Sequence, residues 1–539
     1  MTMRTRSNVP LFRAVIVSIF IVTAVHPAIA QIDIQTPTEA SGFTEYTTYA
    51  EMMTYLQAVQ ASSLEMRLAI YGESYQGREL PVAIFSRPGI REPWEALVSP
   101  KPIAVVAANV HGGERTLRES LLILTRELAT PGTAANRLLD DLIILVVPSV
   151  NPDGLEAQPR PSRGNAWGID LNRDYMKLEQ DALAAYSAEI INTWHPHILV
   201  DGHNGGSYPY NICYQSNSND TPDPTITQLC DEEIFPFMNA MMEENGYRSF
   251  YYSGSGRSPG VWNGGGSDPR ISRNYLGFTN SIGILFESPG GQEMEPGILS
   301  GVVGYMSILE YTARNPGKVM DTVNNARWGT VAKGENPGDD LTVQQEYAPA
   351  DFQVTYQYSE NRRDPESPLI TVVSDSLMIK PVPTLQRTWP YAYLLPRDAV
   401  DAVAMLRRHN ITVEVLQDTL TLEVEAYVPA NFSWQREYNH DAAVVVEVAE
   451  VVTLTQRFPA GTYMIPTGQF MGRVAAHLLE PETDDNVVRW NTMDAWLPLS
   501  ESSGFGGRGG GQPDRVPPPR VIPIYKVMQP IPMSTRILR

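Results

Sequence analysis

Four apolar runs punctuate the first half of the chain, and each ends in polar or glycine-rich residues. Pro102–Val110 runs into His111-Gly-Gly-Glu114, and Asp141–Pro148 leads to Asn151-Pro-Asp-Gly154. His197–Gly202 runs into His203-Asn-Gly-Gly206, and Ser281–Phe286 into Glu287-Ser-Pro-Gly-Gly291. Runs this continuous predict strands covered on both faces, as in a parallel sheet. Arg115–Thr130, after the first run, places Leu117, Leu121, Leu122, Leu124 and Leu128 at helical spacing. The pattern predicts an α/β fold with a mixed, mostly parallel central sheet flanked by helices. In such sheets ligands sit beyond the carboxyl ends of the strands, where these polar turns fall.

Beyond residue 315 the texture changes. Asn315–Asp351 is rich in Asn, Gly, Pro and charge and reads as a connector, taken as 316–351. Leu369–Ile379, Ile411–Val428, Ala442–Leu454 and Gly461–Pro466 read as strands, and Pro396–His409 and Arg473–Leu479 as helices. These predict a smaller mixed α/β accessory domain over 352–539, following a catalytic domain over 31–315. Its sequence carries no metal-ligand cluster or nucleophile pattern, so it reads first as a stabilising appendage and second as a part that covers one side of a cleft or binds substrate. Ser503–Pro519 is Gly/Pro-rich and predicts a flexible loop.

The N-terminus has Arg4, Arg6 and Arg13, then the apolar stretch Ala14–Val25 and the small-residue pattern Ala28-Ile-Ala30. That order predicts a signal peptide over 1–30, cleaved after Ala30, and a periplasmic or extracellular protein with no stable membrane insertion. Cleavage takes the net charge of the 539-residue chain from −20 to −23. So acidic a chain is a poor partner for nucleic acid. The two cysteines, Cys213 and Cys230, are permitted to pair in an exported protein, and their spacing is not that of a zinc knuckle.

An imidazole and a carboxylate three residues apart in one strand-end turn, as His111 and Glu114 are, can face one ion. Zinc takes both ligand types and, in a catalytic site, a third from elsewhere. With Asn151-Pro-Asp-Gly154, Arg163 ahead of Asp170-Leu-Asn172-Arg173, His203 after a strand and Phe286-Glu287, the chain resembles the zinc metallocarboxypeptidases of the pancreatic carboxypeptidase-like fold. It reads as an exported member of bacterial type with a C-terminal accessory domain. The family's opening is also similar, in a helix at Tyr49–Ala61 followed by Gly72–Leu80. The resemblance covers residues 43 to 315.

The resemblance implies one Zn2+ per chain on His111, Glu114 and His203, leaving a position open for water. It makes Glu287 the general base that takes a proton from water and passes it to the leaving amine. Asn172 and Arg173 would hold the terminal carboxylate, for which a planar guanidinium fork is suited. Arg163 would face the developing oxyanion, and Asp170 would orient the first zinc histidine. The family also uses a tyrosine on the loop before the base strand. Here Gly254–Asp268 is glycine-rich and has no tyrosine at that place, so Tyr275 is the substitute, with Tyr251 and Tyr252 behind it. Asp268 would favour a basic terminal side chain and Arg270 an acidic one.

The expected function is a zinc metallocarboxypeptidase acting on peptides with a free C-terminal carboxylate. One alternative is a related amidohydrolase that deacylates N-acyl amino acids or trims cell-wall peptides. The other is a catalytically silent peptide-binding module.

Overall fold

A computed structural model describes residues 32–253, 257–258, 260–338, 340–359, 367–497 and 521–539. The signal segment with its cleavage site and the loop 503–519 lie outside the described residues. Strands β1 (Met66–Glu73), β2 (Glu79–Phe85), β3 (Ile103–Ala108), β4 (Ile143–Val147), β5 (Ile198–Gly206), β6 (Ile212–Gln215) and β7 (Ser249–Tyr251) join the strand Ile282–Pro289 in one sheet. The order is β1-β2-β4-β3-β5, then Ile282–Pro289, then β6-β7. The four strands foreseen from the apolar runs form its parallel centre. All residues of β3, β4 and Ile282–Pro289 are buried, which is why their sequences are continuous rather than alternating.

Helices close both faces of that centre. Thr116–Ala129 buries all five leucines of its predicted stripe. It meets the helix Met294–Arg314, where Ser120 Oγ donates to the Ile298 carbonyl at 2.7 Å. Tyr305 of the latter donates to Ala107 O at 3.1 Å, tying the cover to the strand that leads to His111.

Residues 315–351 are not a connector. They form the helix Pro316–Glu335 and the strand Asp340–Pro349. The helix buries Val319, Val323, Ala326 and Thr330, a narrow stripe among polar residues that hid its periodicity. The strand pairs with Leu377–Thr388, which in turn pairs in parallel with Val261–Asn263 of the glycine-rich stretch. The region after 315 is therefore stitched into the catalytic half.

The C-terminal region is built on a seven-stranded sheet whose pairings are all antiparallel. Its longest element is the hairpin of Leu420–Glu437 and His440–Phe458, closed by Tyr438 and Asn439. Asn439 has φ +60°, the left-handed conformation that Asn tolerates in a two-residue turn. Several buried bonds join this region to the catalytic half. Arg473 reaches Asn280 and Thr330, Arg270 pairs with Asp485 at 3.2 Å, and His409 accepts from Tyr275 at 2.9 Å. Cys213 and Cys230 are separate buried thiols and do not form a bridge.

Candidate active site

His111 and Glu114 leave β3 through a turn that Asn109 shapes. Asn109 has φ +63°, and its Nδ2 donates to the carbonyls of His111, Gly112 and Glu114 at 2.9–3.0 Å. A Cβ on Gly112 would collide with the backbone of Gly154, so the two strand-end turns touch only because this position is glycine. Asn151 locks that contact, donating to Val110 O at 3.0 Å and accepting from Gly154 N at 2.9 Å. Asp153 is occupied by Ser74, Gln76 and Arg78. The Asn-Pro-Asp-Gly stretch thus holds the site rather than acting in it.

His203, from β5, completes a cluster with His111 and Glu114 whose ligand atoms lie within 4.8 Å of one another. The two Nδ1 atoms are 3.1 Å apart, and each lies within 3.0 Å of a Glu114 oxygen. The far nitrogens face buried carboxylates: His111 Nε2 to Asp170 Oδ1 at 3.0 Å, and His203 Nε2 to Asp201 Oδ2 at 2.8 Å. Each carboxylate favours the proton on Nε2 and turns an Nδ1 lone pair inward. Two inward lone pairs and a carboxylate converging on one point fit a divalent cation. Asp201 was not foreseen, although an acid inside the buried run Ile198–Val200 was a signal for it.

Arg163 is half exposed and donates from Nε to Asp170 Oδ2 at 2.9 Å and from Nη1 to Glu114 Oε1 at 3.3 Å. Burial works against the Asp170 carboxylate, but His111 and Arg163 hold it well below the usual carboxylate range. Asn172 accepts from Ser272 N at 2.8 Å, and its Nδ2 lies 3.4 Å from His203 Nε2. Arg173 follows and spends one donor on Asn172 O.

Glu287 stands directly opposite His203 in the parallel register. It is 8% exposed, and its Oε2 has no hydrogen-bond partner. Burial pushes its carboxyl up to about 7, with Glu114 adding and the histidines opposing. A Cβ on Gly205 would fall 2.7 Å from Oε2, so the glycines after His203 make room for this group. A carboxyl that titrates near neutrality, with a free oxygen beside a metal-type cluster, is suited to moving a proton.

Residues 52–241 match the family model described as zinc carboxypeptidase. The chain is 26% identical over 442 residues to "Carboxypeptidase 2" of Trichophyton tonsurans, covering 78% of this chain and 79% of that protein. It is 32% identical over 200 residues to "Carboxypeptidase D" of Drosophila melanogaster, covering 33% of this chain and 14% of that one. These matches make the chain similar to the zinc carboxypeptidases. A metallo-carboxypeptidase structure from Burkholderia cenocepacia aligns with 50% of this chain and 70% of its own, at TM-score 0.40 and 20% identity. The protein is a peptide hydrolase. Among its described residues no helix is long and apolar enough to cross a membrane.

Two residues weighed for this carboxypeptidase's substrate pocket lie elsewhere. Tyr275 is fully buried, packs on Tyr175 and bonds His409, so it does not reach the cleft. Arg270 is engaged by Asp485 and lies over the ring of Trp490. A tyrosine that the sequence reading missed arrives from the accessory region. Tyr438, half exposed at the hairpin turn, has its ring 5.8 Å from the Arg173 guanidinium, and Asn439 Nδ2 donates to Asp170 O at 3.3 Å. Nothing in the sequence around Tyr438 announced this, because the approach depends on the length and direction of a hairpin.

Proposed function

We propose that this enzyme removes the last residue of peptides that end in a free carboxylate, using one zinc ion held by His111, Glu114 and His203. The observation that carries the reading is the convergence of two histidine lone pairs and a carboxylate beside the buried, unsatisfied Oε2 of Glu287. Zinc, when bound, supplies Lewis acidity toward a carbonyl oxygen and makes water easier to deprotonate. Glu287 takes the proton from the attacking water and returns it to the leaving nitrogen. Arg163 donates to the oxygen on which negative charge grows, held in line by Asp170. Arg173 and Asn172 grip the terminal carboxylate. Export, with the mature chain starting at Gln31, belongs to the same proposal.

Amidation of the substrate tests it. With the charge on its C-terminus removed, a good peptide loses the partner of Arg173, which costs about 2–5 kcal/mol, or about thirty-fold to several thousand-fold. Arg173→Ala should lose a similar factor on the free acid and little more on the amide. Equal cleavage of acid and amide by the wild type would remove the carboxypeptidase reading. Cleavage of N-acyl amino acids but not of peptides would favour the amidohydrolase, which needs the same residues.

A further inference from the structure

The mechanism above leaves one buried cation without a task. Four arginines are buried among the described residues: Arg118, Arg270, Arg273 and Arg473. Three face a carboxylate, on Glu119, Asp485 and Asp223 respectively. Arg273, 1% exposed, faces none. Its Nη2 donates to Ser218 Oγ at 3.0 Å and Gly266 O at 2.6 Å, and its Nε has no partner. Asp268, an acid that acts on it, makes its ion-pair contact with Arg270 instead, at 3.7 Å. A guanidinium taken out of water without a counter-charge is costly and rarely tolerated without a reason.

Its position supplies one. Arg273 begins the helix Ser272–Phe278, whose first residue bonds Asn172 through Ser272 N. The guanidinium lies against two successive glycines, Gly265 and Gly266. A Cβ on Gly265 would fall 3.1 Å from Arg273 Nη2 and 3.0 Å from Tyr252 Cδ1. The Tyr252 phenol senses the Glu287 and Glu114 carboxylates as well as Arg273, and Arg273 senses Arg173. Two guanidiniums, a partly buried one on Arg173 and a buried one on Arg273, therefore lie near enough to act on each other, and neither has an ion pair with a protein carboxylate among the described residues.

We propose that the missing counter-charge is the side-chain carboxylate of the substrate's last residue, so that the enzyme prefers peptides ending in Glu or Asp. This rests on the carboxypeptidase reading: Arg173 and Asn172 take the α-carboxylate, and Arg273 takes the second one deeper in the pocket. The glycines let the guanidinium and the Tyr252 ring close on the backbone, and the neutral acceptors Ser218 and Gly266 hold the guanidinium without quenching it. A terminal Gln would fill the same space and leave the cation unmatched.

The test uses zinc-loaded full-length enzyme and peptides that differ only in the last residue: Glu, Asp, Gln, Leu and Lys. Wild type should favour Glu over Gln by about thirty-fold or more in kcat/KM. Arg273→Gln should collapse that ratio while keeping the Gln peptide within a few-fold, with unchanged zinc content. Because a buried position can fail to fold, calorimetric binding of free glutamate and free glutamine to the wild type gives a second reading, and glutamate should bind more tightly by a similar factor. Leu or Lys peptides cleaved as well as Glu peptides, or an unchanged Glu-to-Gln ratio in a folded Arg273→Gln, would overturn the proposal. If no free-acid peptide is cleaved, the carboxypeptidase reading has failed; the glutamate-to-glutamine binding ratio then still decides whether Arg273 receives a carboxylate.

Discussion

Glu287 and Tyr438 approach one cleft from opposite kinds of structure. Glu287 sits in a strand whose eight residues are all buried, in register with His203. Tyr438 caps a hairpin whose first strand is buried only in its first half and whose return strand is unburied apart from Ala443, Val444 and Phe458. The first is held by close packing on every side; the second has a ring contact of its own and sits in a turn anchored by polar contacts of its neighbours, Glu437 to Arg489, His440 to Asn491 at 2.6 Å and Asn439 to Asp170 O at 3.3 Å. The difference assigns their work. Proton transfer needs a group fixed to within a fraction of an ångström, which strand ends provide. A wall over a substrate-binding arginine tolerates movement and acts on affinity. Substitutions in the two regions should therefore fail in different ways.

The largest effect is expected at the strand end. Glu287→Gln keeps the shape and removes the proton acceptor, so turnover should fall about 10²–10⁴-fold with zinc content and melting temperature unchanged. A variant within about threefold of wild type would mean that the base lies elsewhere.

The second test breaks the scaffold that carries the hairpin. Lys526 and Glu480 pair at 3.0 Å with both side chains essentially inaccessible, and Tyr393 and Tyr427 donate to the same carboxylate. Lys526→Met strands Glu480 with two phenols, and loss of one partner of a buried pair costs about 3–5 kcal/mol. Denaturant unfolding should register that loss while the surviving folded enzyme keeps its kcat. A stability change below about 1 kcal/mol would show that the pair is dispensable.

What was legible in the sequence follows the same division. β3, β4, β5 and the Glu287 strand were readable because burial on both faces leaves continuous apolar runs, and their polar endings marked the site residues directly. Asp201 escaped notice because its neighbours looked like ordinary core. The helix Pro316–Glu335 was taken for a connector because its buried stripe is narrow and interrupted by Gly, Asn and Asp. Tyr275 stands in the sequence as the substitute for the family's loop tyrosine, but the helix Ser272–Phe278 turns its side chain toward His409. Tyr438 carried no local mark at all, since its role comes from how one domain lies against another. Sequence pattern reports what a residue's own element buries, and the accessory contribution to the site depends on neither.

Acid should loosen the join between the two regions. His409 is fully buried, accepts from Tyr275 at Nδ1 and donates from Nε2 to Met176 O at 3.1 Å, so only the neutral ring satisfies both bonds. Burial lowers its pKa from 6.5 to about 3. Between those values the unfolded chain binds a proton that the folded one refuses. Stability is therefore complete above about pH 6.5 and falls as pH drops toward 3. From pH 7.5 to 5 this one group should cost about 2 kcal/mol. His409→Gln offers a donor and an acceptor without titrating, so the difference between wild type and variant in unfolding free energy should shrink toward acid. A difference that stays constant between pH 7.5 and 5 would show that His409 is not the acid-sensitive element.

The smallest effect is expected at the hairpin turn, and it is the one that decides whether the accessory region takes part in binding. The Tyr438 ring lies over the Arg173 guanidinium at 5.8 Å, and an exposed contact of this kind is worth about 0.5–1 kcal/mol. Tyr438→Ala should raise KM for a free-acid peptide about two- to five-fold and leave kcat unchanged, because the ring stands over the group proposed to read the carboxylate and touches no proton-transfer residue. Tyr438→Phe should restore the wild-type KM, since the face of the ring is what Arg173 meets. On an amidated peptide, Tyr438→Ala should change almost nothing, because the guanidinium it orders has no charge to hold. A loss confined to kcat would assign Tyr438 to the chemistry instead. A Phe variant as weak as Ala would assign the work to the hydroxyl, and an Ala variant equal to wild type on every substrate would return the hairpin to a purely structural role.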